Sequence, residues 1–114
     1  SRDLRFQLKV LSEFLHGFAL EKMHPDPVSV LNSPGLIPYV LSDGQGSFAV
    51  FLRAIGTDRS TLVLKTGQGS FQVEKLNTLT GSYADPLSVE AIEGTLALDL
   101  VLPEGELALK ITRE

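Results

Sequence analysis

Residues 60–76 read STLVLKTGQGSFQVEKL, two alternating runs either side of a glycine-containing break. Leu62 and Leu64 fall on one side of the first run, and Thr61, Val63 and Lys65 on the other. In the second, Phe71 and Val73 oppose Gln72 and Glu74. A period of two is the mark of a half-buried strand, because successive side chains leave opposite faces of the backbone. Gly67-Gln68-Gly69 between the runs predicts a tight hairpin turn, with glycine supplying positive φ. The same GQGS string occurs at Gly44-Gln45-Gly46-Ser47. A phosphate-cradling glycine loop would have to open a helix. Both copies open strand-like runs, so both are assigned to turns.

The same alternation, punctuated by turn residues, continues along most of the chain. Strands are predicted at 28–31, 36–42, 47–55, 60–66, 70–77, 87–93, 95–102 and 106–113. Pro38 marks its strand as an edge or a strand start, since proline donates no ladder hydrogen bond. Turn signals every eight to twelve residues point to an antiparallel sandwich or barrel. No pattern for crossover helices lies between the strands, which excludes a parallel sheet.

The beginning of the chain is different. Leu4, Leu8, Leu11, Leu15 and Phe18 recur at helical spacing, with Asp3 placed to cap the start and Gly17 near the stop. At about 100° per residue, Arg5, Lys9, Ser12, Glu13 and His16 collect in one polar sector. Phe6, Val10 and Phe14 extend the apolar arc to about 200°, interrupted by Gln7. A surface helix needs a stripe about half that wide. Residues 4–18 are therefore predicted to touch two bodies, the chain's own sandwich and a second one. The alternative is a helix sunk deep in its own domain. His24-Pro25-Asp26-Pro27 then breaks the helical pattern. The expected organisation is an all-β antiparallel β-sandwich of about eight strands preceded by one N-terminal α-helix. Residues 1–24 supply the junction helix and corner, and 25–114 the sandwich, in a single domain overall.

At 114 residues, 43% hydrophobic and 21% charged, the chain has material for one core. A net charge of −4 argues against nucleic acid and against an anionic membrane surface as partners. No stretch is long and apolar enough to span a bilayer as a helix, and no secretory signal pattern opens the sequence. With no cysteine, disulfides, thiolate metal sites and cysteine nucleophiles are excluded. The chain begins at Ser1 rather than Met, which reads as a piece of something larger.

No residue pattern selects a catalytic group. His16 and His24, eight residues apart, match no ligand motif and read as exposed or corner residues. No GxSxG elbow occurs. The many carboxylates show neither calcium-loop spacing nor a selectable pair. No catalytic, cofactor-binding or metal-binding residue is assigned, and no cofactor is expected. Phe48 and Phe71 read as core. Phe51 lies on the opposite side of its strand from Phe48. Tyr39, Phe51 and Tyr83 are the candidates for an aromatic carbohydrate contact, against the alternative that the tyrosines are buried with their hydroxyls satisfied.

The order of features resembles a known pattern. It runs from FLHGFALEKMHPDP, through FAVFLRA and LVLKTGQGSFQVEKLNTLTGSY, to LVLPEGELALKIT. It is similar to the C-terminal β-sandwich of barrel-type glycoside hydrolases and related glycosidases, a group that includes domains labelled collagen-binding. The matching positions are the corner Met23, Pro25 and Asp26, then the strand Phe48-Ala49-Val50-Phe51-Leu52. They continue with a hairpin through Leu62, Leu64, Gly69, Phe71, Val73, Asn77, Thr80 and Gly81. Where the family often carries a tryptophan, this chain has Lys75-Leu76-Asn77-Thr78-Leu79-Thr80-Gly81, so collagen binding is not carried over. The resemblance implies a non-catalytic accessory domain that packs against and stabilises a (β/α)8 barrel of the same polypeptide. Phe6, Val10 and Phe14 would lie at that interface. Separated from the barrel, the domain is expected to form a homodimer through the same strip. An independent carbohydrate-binding module, with polysaccharide as partner, is the alternative. A secreted or periplasmic place in bacterial carbohydrate metabolism is favoured by the resemblance alone.

Overall fold

The computed structural model describes residues 23–77, 81, 84–102 and 105–114. The predicted helix over residues 4–18 lies outside the described residues. Among the described residues there are nine strands, in order β1 His24–Pro25, β2 Val30–Asn32, β3 Leu36–Ser42, β4 Ser47–Ala54, β5 Arg59–Lys65, β6 Ser70–Leu76, β7 Leu87–Glu90, β8 Thr95–Val101 and β9 Glu106–Arg113. They form a six-stranded sheet, β1-β3-β4-β9-β6-β7, and a three-stranded sheet, β2-β5-β8. Every strand pair is antiparallel. The all-β antiparallel reading is what the structure shows, in an arrangement consistent with a sandwich.

Burial follows the alternation. In β5, Leu62 and Leu64 are buried, while Thr61 and Val63 are half-buried and Lys65 is exposed. In β8, Leu96, Leu98 and Leu100 are buried between exposed Ala97, Asp99 and Val101. These leucines meet Phe48, Val50, Phe71, Val73, Leu107, Leu109 and Ile111 of the larger sheet in one core cluster. On the outer side of the small sheet, the Thr61 hydroxyl donates to Asp99 Oδ1 at 2.8 Å, tying the β5–β8 pair at the surface.

Two expectations are corrected. The run at 28–31 is not one strand. Pro27–Ser29 form a 3-10 turn, and the strand begins only at Val30. Proline at the start of that turn has its φ preset for helical backbone and has no amide to leave unpaired. The second correction concerns the segment at 67–69, which is not a hairpin turn. β5 pairs with β2 and β8, whereas β6 pairs with β9 and β7, so this connection crosses from one sheet to the other. Alternation tells which face of a strand is apolar and nothing about which strand lies beside it. Among consecutive strands, β3–β4 and β6–β7 are paired with each other, and the remaining connections change layers.

β3 also has the edge character that Pro38 foretold. β4 covers one side along its whole length, while β1 reaches only Leu41 and Ser42 on the other. The stretch carrying Ile37, Pro38 and Tyr39 is left on an open rim.

Candidate functional site

The face of the six-stranded sheet turned away from the core carries the features most suited to recognition. The register sets them in rows. Tyr39 of β3 lies opposite Phe51 of β4, Phe51 opposite Ala108 of β9, and Ala108 opposite Leu76 of β6. The neighbouring row runs Leu41, Ala49, Lys110, Glu74. Directly opposed residues of this kind are the units by which a sheet face is built.

The Tyr39 and Phe51 rings are stacked, with centroids 6.3 Å apart and planes inclined at 29°. Tyr39 remains 55% exposed, and Ile37, two residues earlier on the same face, 51%. Of the two readings offered for Tyr39, burial is not what the structure shows. Its strand is a sheet rim, and no described neighbour on that side covers the ring. Phe51 is half-buried on the face opposite Phe48, as the alternation requires. Two of the three aromatic candidates are thus in contact. Tyr83, like Phe6, Val10 and Phe14, lies outside the described residues.

Next to this pair, a shallow groove of about 340 Å³ runs over Pro25, Pro27, Val30, Pro38, Tyr39 and Val40. It exists because the Asp26 amide donates to the Val40 carbonyl at 2.8 Å, which holds the proline corner beside the open stretch of β3. The Ser29 hydroxyl donates to Asp26 Oδ2 at 2.7 Å and fixes the turn beneath it. Sequence reading recognised the corner, but not that it would be laid against Tyr39.

At another place both GQGS strings converge on one side chain, Arg113 of β9. Its guanidinium donates through Nη1 to the Gln68 carbonyl and through Nη2 to the Thr66 carbonyl at 3.2 Å. Its guanidinium carbon stands 5.0 Å from the centre of the Phe71 ring. The Arg113 amide donates to the Gly46 carbonyl. A Cβ on Gly46 would lie 2.7 Å from Arg113 Nε, with φ at +101°, so only glycine fits. The Gln68 amide nitrogen donates to the Ala91 carbonyl, and the Gln68 oxygen accepts from the Gly94 amide. These bonds clasp the loop crossing the two sheets. The open depression here, about 290 Å³, includes Asp26, Ser42, Lys65 and Thr66 beside Arg113. The guanidinium bonds to main-chain carbonyls, so the arrangement is one that holds loops. Nothing in the sequence singled out Arg113, because its partners are backbone atoms of distant loops.

Among the described residues no cluster of three or more His, Asp or Glu is placed to hold a metal ion. His24 is exposed on β1, and His16 lies outside the described residues.

No protein-family model matches the chain, and no curated protein does. Among solved structures, one titled "Glycoside hydrolase" is similar over 95% of this chain, with a TM-score of 0.68 and 12% identity. The chain spans 25% of the length of that structure. At such low identity the likeness shows a shared fold, that of part of a glycoside hydrolase.

Proposed function

We propose that this chain is a non-catalytic C-terminal accessory domain of a glycoside hydrolase, packing against and stabilising a (β/α)8 catalytic barrel. One observation carries the reading: nearly the whole chain superposes on a quarter of a glycoside hydrolase, which leaves most of that protein for other parts. The exposed apolar rim at Ile37 and Tyr39 supports it, since contiguous apolar surface marks sites of association. Phe6, Val10 and Phe14 are the residues we assign to the seam with the barrel.

The test begins with the coding sequence upstream of Ser1, where we expect an in-frame (β/α)8 domain of about 250 residues. The encoded protein is then made with and without residues 1–114. The barrel lacking them should unfold several degrees lower in a calorimetric scan. An upstream region without a barrel, or a barrel whose melting is unchanged, rejects the proposal.

A second reading, an independent carbohydrate-binding module, is favoured by one feature: the open face of Tyr39 stacked on Phe51. Aromatic rings offer apolar faces to sugar rings. It requires retention of the chain on insoluble polysaccharide and loss of that retention in Tyr39→Ala.

A further inference from the structure

β8 lies at the margin of the three-stranded sheet, with β5 on one side only. Which of its main-chain groups face outward follows from the bonds at its two ends. The Thr66 amide donates to the Gly94 carbonyl, and the Leu102 amide to the Asp58 carbonyl. Both extend the β5–β8 register, which runs from Arg59 opposite Val101 to Lys65 opposite Thr95 without a shift. In an antiparallel pair, residues alternate between bonding to the partner strand and pointing away from it. Leu96, Leu98 and Leu100 therefore bond to β5, and the N–H and C=O groups of Thr95, Ala97, Asp99 and Val101 point to the other side. Thr95 agrees with that phase, since its amide and carbonyl both bond to Ile92. Among the described residues nothing bonds to the main chain of Ala97, Asp99 or Val101 on that side. Three donors and three acceptors are left in a row.

The other margins of the described sheets are each blunted. β1 has two residues, one of them Pro25, and β7 has four. β2 has three, with a register shift between Val30 and Asn32. The open stretch of β3 carries Pro38, and its Leu36 amide donates to the Ser33 carbonyl. Short strands, prolines and bulges are the usual devices that stop edge pairing. β8 has seven residues, with no glycine, no proline and no bulge. Its one guard is Asp99, whose exposed side chain stands midway between Ala97 and Val101. Asp99 Oδ1 accepts from the Thr61 hydroxyl, and the second oxygen has no partner among the described residues.

We propose that the edge of β8 receives an extended segment of a partner polypeptide as a further antiparallel strand, with a lysine or arginine facing Asp99. A row of open main-chain groups gives affinity for any strand, and the side chains across from it decide which strand is taken. Opposite charges directly across an antiparallel pair attract, and like charges repel. The net charge of −4 adds to the attraction for a basic segment. A second copy of this chain fits poorly. Pairing β8 with itself through all three open residues sets Asp99 against Asp99. Sliding the register by two residues in either direction separates the carboxylates but leaves only two of the three residues paired. Asp99 thus excludes the chain's own strand and admits a basic one. The basic residue lies on the outer face beside Asp99, and its two chain neighbours point to the inner side, where apolar residues suit them.

The probe is a synthetic peptide, Thr-Val-Thr-Val-Lys-Val-Thr-Val-Thr, blocked at both ends. Amide hydrogen exchange followed by nuclear magnetic resonance reads the edge residue by residue. In the chain alone, the Ala97, Asp99 and Val101 amides should exchange at least about tenfold faster than those of Leu96, Leu98 and Leu100. Saturating peptide should slow the three edge amides about tenfold. A peptide with glutamate in place of lysine should bind about fivefold more weakly, and Asp99→Lys should reverse that preference. A peptide N-methylated at the lysine and at the nearest threonine on either side lacks the donors that meet the edge and should not bind. Edge amides whose exchange the peptide leaves unchanged would overturn the proposal, as would equal binding of the lysine peptide and either altered one. Edge amides already protected in the chain alone would overturn it too. So would protection that grows with chain concentration, which gives the edge to a second copy. The altered peptides leave the protein untouched, so their results do not depend on a variant folding. No barrel takes part, so this inference stands or falls separately from the accessory-domain reading.

Discussion

At the residue scale, Arg113 shows how one side chain serves several local needs. Its planar guanidinium bonds two carbonyls at once and lies over Phe71. A lysine, with a compact ammonium on a flexible stem, does not reproduce that fork. We expect Arg113→Ala to lower the free energy of unfolding by about 1–2 kcal/mol in denaturant titration, with Arg113→Lys recovering only part of it. Glu93 presents the opposite case. It has φ of +54° beside Gly94 at +78°, between the bridge partners Ile92 and Thr95. Two consecutive positive φ values are what a type I′ turn demands, and asparagine accepts them more readily than glutamate. Glu93→Asn should stabilise the chain by about 0.5–1 kcal/mol, read as a higher denaturant midpoint at unchanged slope.

At the element scale, alternation makes unequal demands on adjacent positions. Leu64 is fully buried in the core, while Val63, its neighbour on β5, faces outward and is half-buried. Leu64→Ala should cost about 2–5 kcal/mol through lost burial and the cavity left behind, and Val63→Ala less than about 1 kcal/mol. Thermal unfolding of the two variants side by side checks the inward and outward assignment. The faces were legible from period two alone. Strand neighbours were not, and this is why the 67–69 segment, expected as a hairpin turn, proves to be a crossing between layers. Its glycines keep the positive φ that the sequence called for, at +85° and +136°. The clasp of Arg113 and Gln68, rather than direct pairing of the flanking strands, holds it.

At the scale of the whole molecule, one sheet presents an exposed apolar rim at Ile37 and Tyr39 that continues into the buried cluster around Ala49 and Ala108. If Phe6, Val10 and Phe14 form the seam with a barrel, the chain alone should self-associate in sedimentation equilibrium. Replacing all three by serine should leave a monomer that keeps its β-sheet circular dichroism. A monomeric wild-type chain at high concentration would count against that seam. Half of the candidate contact surface was legible beforehand. Alternation separated Phe51 from Phe48, and Pro38 flagged the rim on which Tyr39 sits. The stacking of Tyr39 on Phe51 was not, because it depends on a register that no local pattern encodes.

The sequence by itself determined the all-β class, the core-facing sides of the alternating runs at 60–66 and 70–77, and the need for positive φ at the two GQGS turns. All are set by interactions within a few residues, namely side-chain period and glycine's freedom at φ. Which strands lie side by side, what Arg113 grips, and that Tyr39 stacks on Phe51 were decided by the tertiary structure. Those outcomes arise from contacts between segments tens of residues apart, where many pairings satisfy the same alternation and only the packing of the complete chain chooses among them.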